Sequence, residues 1–376
     1  MKKRILAVLI ATALAVSVTG CAGNATSSSD STSASSVAES SDTSTQTSAD
    51  ASSEDESKDE SSQEESKDLE ANYTKYTLDG DLTQHMIDMS RLNEGNKVRL
   101  ANVIKKLKNG EEVTVGFIGG SITQGTSAGN DLCYAKLTAD WLQKTYSNAK
   151  INYVNAGIGA TGSYIGVHRV ANDLLSKNPD LVFVEFSVND TTENTERNKK
   201  SYDGLLRTIW KSSTNPAIIT IATTQEDGTS FQDQHAEIVK HYDLPMISYR
   251  NTILDTIKHG DIVWKDISDD NIHPNVPGHK IVSQLLQAYI SDVDKDVDNI
   301  SGSESDFTTP ATDAPIENGS LIQPSSATDV TATGAFGNYE QQFGGFDGFW
   351  LFKGTSDADI LSLIHISEPT RRVVIS

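Results

Sequence analysis

The sequence predicts an α/β fold, a three-layer α/β/α sandwich around a mainly parallel, five-stranded sheet. Short runs of apolar and β-branched residues alternate with amphipathic helical patterns between residues 75 and 295. The strand runs are almost continuously apolar, as expected for strands that are covered by helices on both faces. This stretch has the length of one domain.

The elements follow one another in a regular order. Residues 83–109 have apolar residues at helical spacing; Gly95 and Asn96 divide them into two helices, and Gly110 ends the second. Five strands come next, each followed by a helix, and the last helix begins after the prolines and glycine of HPNVPGHK. The predicted strands are VTVGFI, INYVNA, LVFVEFS, AIITIATT and PMISY.

Residues 1–21 have the pattern of an export signal. Three basic residues precede a short apolar run, and the segment ends in VTGC at Cys21. It resembles a bacterial lipoprotein signal peptide, which would be cleaved before Cys21 and leave that cysteine lipidated. The alternatives are an ordinary cleavage site or an uncleaved anchor. We expect the protein to be lipid-anchored on the extracellular face of the bacterial cell membrane.

Residues 22–70 predict a disordered, acidic, serine-rich tether. They contain 13 acidic residues and two lysines, and therefore 11 of the 21 net negative charges. Such a segment has too little to bury and repels itself into an extended chain. The net charge therefore reflects the tether more than the substrate, and it argues against a nucleic-acid partner.

The chain has two cysteines. If Cys21 is lipidated, Cys133 has no partner for an internal disulfide, and we expect it to be a small buried apolar residue at the start of a helix. No group of cysteines and histidines has zinc-finger spacing, so we expect neither a structural metal nor a cofactor.

The C-terminal part has a different composition. Residues 296–320 predict a linker, and residues 321–360, rich in glycine and aromatic residues, predict the opening of a β-rich accessory or carbohydrate-binding module that is too short to be complete. The stretch LSLIHISEPTR, within residues 361–376, matches the translation of a sequencing adapter. The alternative is a native strand and tail.

Four polar stretches lie where open α/β sheets place their ligand sites, at strand ends or in a late loop. They are GFIGGSITQG with Ser121, NAGIGATGS at 155–163, FSVND at 186–190 and DDNIHPN at 269–275. A serine nucleophile needs an imidazole base, and that base needs an acceptor to orient it. His273, three residues after Asp270, meets this need.

Each stretch also has a simpler interpretation. A serine after two glycines is often a helix N-cap, Asn189 before Asp190 is typical of a turn, and D-x-x-H has little specificity. His279 is either structural or faces the substrate. Only the combination of all four stretches, in order, indicates a catalytic site.

In these four stretches the sequence resembles the SGNH, or GDSL-like, hydrolases over residues 75–295. GGSITQG resembles their first block in its GGS variant, and the other three resemble the second, third and fifth blocks. The resemblance implies that Ser121 is the nucleophile, His273 the general base and Asp270 its orienting partner. It also implies an oxyanion hole, formed by the side chain of Asn189 and the backbone amides of Ser121, Gly159 and Ala160.

Two residues depart from the family pattern. Ala160 aligns with a glycine whose backbone amide serves the oxyanion hole; alanine is acceptable there if its dihedral angles are ordinary. Ser187 replaces the glycine of the third block, where it would tighten the space near Asn189. Neither change removes a donor.

These observations predict a surface-anchored serine esterase that acts through an acyl-enzyme. The resemblance favours O-acetyl esters on carbohydrate, with other small esters as possible substrates. The alternative is a non-catalytic, glycan-binding or adhesin-type lipoprotein that keeps the same fold.

Overall fold

The computed structural model describes residues 73–191, 194–317 and 319, together with the backbone of 336–339 and 349–352. The predicted signal peptide with Cys21, the tether, the adapter-like segment and most of the accessory module lie outside the described residues. These assignments stay predictions. In the accessory segment the two described stretches, Phe336–Tyr339 and Phe349–Phe352, pair as antiparallel strands.

The central sheet has six strands, five of which are parallel. From one edge to the other their order is β1-β6-β5-β4-β2-β3, and only β1 runs antiparallel to its neighbour. The five parallel strands are those that the sequence predicts, so the predicted fold class is confirmed. The strands are β1 Arg91–Asn93, β2 Glu112–Gly119, β3 Lys150–Gly157, β4 Leu181–Glu185, β5 Ala217–Ala222 and β6 Met246–Ser248.

Helices cover both faces of the sheet. Longer helices are α1 Gln84–Ser90, α2 Val98–Lys108, α4 Tyr134–Thr145, α5 Ser163–Asp173, α6 Thr195–Trp210, α7 Gln232–His241, α8 Tyr249–Lys258 and α10 Val276–Lys295. Short helices are α3 Ser121–Gln124 and α9 Trp264–Ile267, with 3-10 turns at Leu175–Lys177 and Asn189–Thr191. In the described part of the chain, no helix has both the length and the apolar character that a membrane crossing requires.

The interior consists of two apolar clusters, one on each face of the sheet. Successive residues of β4 point to opposite faces, so that Phe183 joins one cluster and Val184 the other. Phe183 stacks on Phe117 of β2 with 4.6 Å between the ring centroids. This two-sided burial explains the continuous apolar strands. Cys133 is fully buried and free, as predicted.

Residues 296–317, which belong to the predicted linker at 296–320, contain no helix or strand but pack on the helical layer. The Phe307 ring stacks on Tyr242, with 3.9 Å between centroids, and on Trp210, with 4.5 Å. The carboxylate of Asp203 accepts hydrogen bonds from the backbone amide and the hydroxyl of Thr312, both at 2.7 Å. The packed body therefore extends beyond the end of α10.

Candidate active site

Ser121 stands at the start of α3, directly after the carboxyl end of β2. The two preceding glycines are required by close packing: a Cβ at Gly119 would lie 2.1 Å from the Thr123 hydroxyl, and a Cβ at Gly120 2.0 Å from Asn189 Oδ1. Gly120, not Ser121, is the N-cap of α3. The hydroxyl of Ser121 therefore does not cap this helix, and it has a different hydrogen-bond partner.

That partner is His273. Its Nε2 lies 2.9 Å from Ser121 Oγ, and its Nδ1 lies 2.8 Å from Asp270 Oδ2. The loop before α10 thus brings an imidazole and a carboxylate to a serine that is 152 positions away in the sequence. An imidazole in this position can accept the hydroxyl proton while the carboxylate holds the ring in the required tautomer.

Asp270 is fixed by its own loop. Its Oδ1 accepts the backbone N–H groups of Ile272 at 2.7 Å and His273 at 2.6 Å. Partial burial acts to raise the pKa of Asp270, but these backbone donors and the imidazole of His273 outweigh it and lower the pKa to about 2. The carboxylate consequently stays ionised throughout the neutral and mildly acidic range.

The second-block loop, at residues 158–163, lies beside the serine. Gly159 donates its backbone N–H to Gln124 Oε1 at 2.8 Å, so this amide is engaged within the protein. Ala160 has φ of +58°, in the left-handed region. The condition of ordinary dihedral angles, under which alanine would be acceptable at this position, is therefore not met.

The third-block turn presents Asn189 to the same place. Its side-chain amide lies against Gly120, one residue before the serine. Ser187 does not crowd it, contrary to expectation, because the Ser187 hydroxyl faces a buried group formed with Glu185 and Thr223, at 3.2 Å from Glu185 Oε1 and from Thr223 Oγ1. Burial raises the pKa of Glu185 to about 7.

Asp190 connects the second and third blocks. Its Oδ1 accepts the backbone N–H of Ser163 at 2.8 Å, and its Oδ2 lies 2.9 Å from His235 Nε2. Its carbonyl accepts from Asn198 Nδ2 at 2.8 Å. Both Asp190 and His235 are buried. This pair holds the Asn189 turn against the start of α5 and against α7.

Arg169 stabilises the backbone that leads to the site. Its guanidinium is fully buried and donates to the carbonyls of Ala156, at 2.6 Å, and Gly119, at 3.0 Å. It also pairs with Asp173 at 3.1 Å. The same side chain thus joins the carboxyl ends of β3 and β2, which lead into the second-block loop and to Ser121.

The structure therefore brings together the predicted catalytic and oxyanion-hole residues: Ser121, Gly159, Ala160, Asn189, Asp270 and His273. His279 is structural, since it is buried and its Nδ1 accepts the Tyr134 N–H at 3.1 Å. Sequence reasoning missed the supporting residues Gln124, Arg169, Glu185 and His235. Of these four residues, Glu185 had a local signal in the sequence. It is a charged residue within the otherwise apolar strand LVFVEFS, which indicates a buried polar group.

Comparison with known proteins adds a family. The profile of the GDSL-like lipase/acylhydrolase family matches residues 117–281. No curated protein sequence matches the chain.

The chain is also similar to solved structures. A two-domain esterase active on acetylated mannans is 35% identical, with 70% of this chain and 71% of that chain covered and a TM-score of 0.66. The same kind of esterase co-crystallised with mannopentaose is 37% identical, with 60% of each chain covered and a TM-score of 0.55. An acetylxylan esterase mutant from Geobacillus stearothermophilus is 18% identical, with 47% of this chain and 94% of that chain covered and a TM-score of 0.41.

Proposed function

Because this chain belongs to the GDSL-like lipase/acylhydrolase family and is a carboxylic ester hydrolase, we propose that it removes O-acetyl groups from carbohydrate. Ser121, His273 and Asp270 carry the reaction. The observation behind this assignment is the continuous hydrogen-bonded series from the Ser121 hydroxyl through His273 to the Asp270 carboxylate.

In the acylation step, Ser121 Oγ attacks the ester carbonyl carbon while His273 Nε2 accepts the hydroxyl proton. The tetrahedral intermediate collapses when the bond to the sugar oxygen breaks, and His273 returns the proton to that oxygen. Asp270 stays ionised and stabilises the imidazolium that forms in between. The products of this step are the free sugar hydroxyl and an acetyl ester on Ser121.

The negative oxygen of the intermediate needs preorganised donors. The side-chain amide of Asn189 and the backbone N–H groups of Ser121 and Ala160 are the proposed donors. Gly159 is the weaker candidate of the predicted set, because its N–H already donates to Gln124. Ala160 keeps its backbone N–H as a donor, and its φ of +58° lies in the region that favours glycine.

In the deacylation step, water attacks the acetyl carbonyl as His273 accepts one of its protons. The bond to Ser121 Oγ then breaks, and His273 returns the proton to that oxygen, which releases acetate.

The substrate class rests on similarity to the esterase active on acetylated mannans. The match with this chain covers 71% of the length of that esterase. A lipidated Cys21 and the acidic tether would present the enzyme to polysaccharides outside the cell. We propose this location from the sequence pattern of residues 1–70.

The test measures acetate release by the full chain from acetylated mannan and from a deacetylated control. Ser121→Ala and His273→Ala should each lower kcat by roughly 10⁴- to 10⁶-fold, as expected when one member of a concerted group is removed. Ser176→Ala changes an exposed serine whose hydroxyl bonds only within its own turn, and it should keep full activity.

If the wild type releases no acetate but binds mannan, and the two site variants bind equally well, the glycan-binding alternative replaces the esterase. Full activity in Ser121→Ala would show that the nucleophile is wrongly assigned.

A further inference from the structure

Three side chains of the types that ligate transition metals meet between α1 and α8. His85 Nε2 lies 2.6 Å from Asp255 Oδ2, and His259 Nδ1 lies 3.3 Å from the same oxygen. One ligand atom from each residue can be chosen so that all lie within 4.8 Å of one another. We propose that His85, Asp255 and His259 form a binding site for a divalent cation of the zinc type.

The donor set suits such an ion. Zinc binds imidazole nitrogen at about 2.0–2.1 Å and carboxylate oxygen at about 2.0–2.2 Å, usually in a tetrahedron. Ligand atoms are then about 3.3 Å apart. The distance from Asp255 Oδ2 to His259 Nδ1, 3.3 Å, matches this value, whereas the distance to His85 Nε2, 2.6 Å, is a hydrogen bond that the ion would replace. To bind the ion, His259 would exchange the contact of its Nδ1 with the Asp255 carbonyl, at 3.0 Å, for the metal, with water as the fourth ligand.

The backbone already holds the three residues in place. Asp255 lies in the last turn of α8 and His259, four positions later, is its C-cap, whereas His85 comes from the facing helix α1. The side chain of His85 is 4% exposed, that of Asp255 13% and that of His259 17%. Water competes little for ligands that are this well covered, which favours an ion that exchanges its hydration shell for protein atoms.

A second layer of side chains fixes the two imidazoles. The Tyr73 ring stacks on His259, with 4.2 Å between centroids, and meets the edge of His85 at 5.5 Å. The Tyr73 hydroxyl donates to Asp261 Oδ1 at 2.5 Å, and the Tyr76 backbone N–H donates to Asp261 Oδ2 at 2.8 Å. These ring contacts restrict the orientation of the two imidazoles, and the hydrogen bonds to Asp261 hold the Tyr73 ring in place.

This proposal revises the expectation of no structural metal. That expectation depended on short spacings between ligands, whereas His85 and Asp255 are 170 positions apart and only the fold brings them together. The bound ion would connect α1 and the chain near Tyr73 to the end of α8. Because the site forms only in the folded protein, the ion would stabilise the fold.

The test uses the full chain without a polyhistidine tag, stripped with EDTA and titrated with Zn²⁺. We expect one equivalent to bind and the melting temperature to rise by several degrees as free zinc increases. Ester hydrolysis should be the same with and without EDTA, since none of the three residues belongs to the proposed reaction. A wild-type chain that binds no zinc and shows no rise in melting temperature would overturn the proposal.

Two variants locate the site. His85→Asn and His259→Asn should each weaken zinc binding by about 100-fold or more, because loss of even an outer contact costs 10- to 100-fold. His241→Asn, which changes a histidine on α7 that contacts the Thr309 carbonyl, should bind zinc like the wild type. Equal affinity in all three variants would place the ion elsewhere. If His85→Asn does not fold, the zinc affinity of His259→Asn still tests the site, because His259 is the more exposed of the two histidines and follows the last residue of α8.

Discussion

At the scale of single residues, Arg169 illustrates how much of the site depends on groups that never meet the substrate. It is 1% exposed, and it ties the carbonyls before Ser121 and before the second-block loop to one guanidinium. A buried charge of this kind is stable only while its partners remain. Its removal takes a donor from Asp173 and from the Ala156 carbonyl, while the Gly119 carbonyl keeps the backbone N–H of Ile158 at 3.1 Å.

We therefore predict that Arg169→Ala lowers the free energy of unfolding by about 3–5 kcal/mol, the usual loss when one member of a buried ion pair is removed. kcat should fall more than KM changes, because the ends of β2 and β3 set the position of the nucleophile. Arg169→Lys restores the charge but not both hydrogen bonds, so it should recover part of the stability. Urea unfolding and steady-state kinetics measure the two effects, and unchanged kcat in a folded Arg169→Ala protein would contradict the positioning role.

Ala160 supplies a second prediction at this scale. A non-glycine residue in left-handed conformation costs about 1–2 kcal/mol. Ala160→Gly should consequently raise the free energy of unfolding by about 1 kcal/mol, after the extra entropy of glycine in the unfolded chain is subtracted.

The matched control is Ala128→Gly. Ala128 lies in the loop after α3 and does not have positive φ, so this change should destabilise by about 0.5–1 kcal/mol. Both values come from denaturant unfolding, and destabilisation by Ala160→Gly would show that the left-handed backbone is not strained.

At the scale of elements, the parallel strands were predictable because most of their residues are apolar, as expected for strands covered on both faces. The edge strand β3 is only partly buried and has Asn152 and Asn155 among its apolar residues. Strand β1 was not predictable, since it has three residues, RLN, inside a segment with helical spacing. It forms because Gly95, with φ of +61°, turns the chain against Pro245 next to β6. The contact between Gly95 and Pro245 depends on the tertiary fold, and the local pattern of apolar residues cannot predict it.

The residues of the site likewise include some that the sequence predicts and some that it does not. Ser121, Asn189 and His273 were predictable because each follows a strand or precedes a helix in a recognisable stretch. Arg169 and His235 were not, because their partners are carbonyls and a carboxylate brought close only by the packing of α5 and α7 on the sheet. Local spacing contains no information about such contacts.

The segment after α10 gives a prediction for an element without regular structure. Phe307 is 6% exposed and lies between two aromatic rings of the helical layer. Phe307→Ala should lower the free energy of unfolding by about 3–5 kcal/mol, the usual range for a buried phenylalanine. Phe307→Leu keeps much of the apolar contact and should cost less. A loss near zero for Phe307→Ala would restore the interpretation of residues 296–317 as a free linker.

At the scale of the whole molecule, two buried groups give the stability opposite dependences on pH. Burial lowers the pKa of His279 to about 4, below its ordinary 6.5. The unfolded chain therefore takes up a proton first as the pH falls from 6.5 towards 4, and stability is lost on acidification. Burial raises the pKa of Glu185 to about 7, above its ordinary 4.5. The unfolded chain then ionises first as the pH rises from 4.5 towards 7, and stability is lost in the alkaline direction.

Each difference corresponds to about 3 kcal/mol over its full range, and the two ranges overlap between pH 4.5 and 6.5. In the wild type their contributions nearly cancel there. Glu185→Gln removes one of them while it keeps an acceptor for Ser187 and Thr223, so this variant should lose about 2–3 kcal/mol between pH 6.5 and 4.5 relative to the wild type. His279→Gln should show the reverse, a relative gain on acidification. Urea unfolding at pH 4.5, 5.5 and 6.5 measures both slopes. Parallel curves for all three proteins would mean that the two groups titrate alike in the folded and unfolded chains, and that their burial carries no linkage to folding.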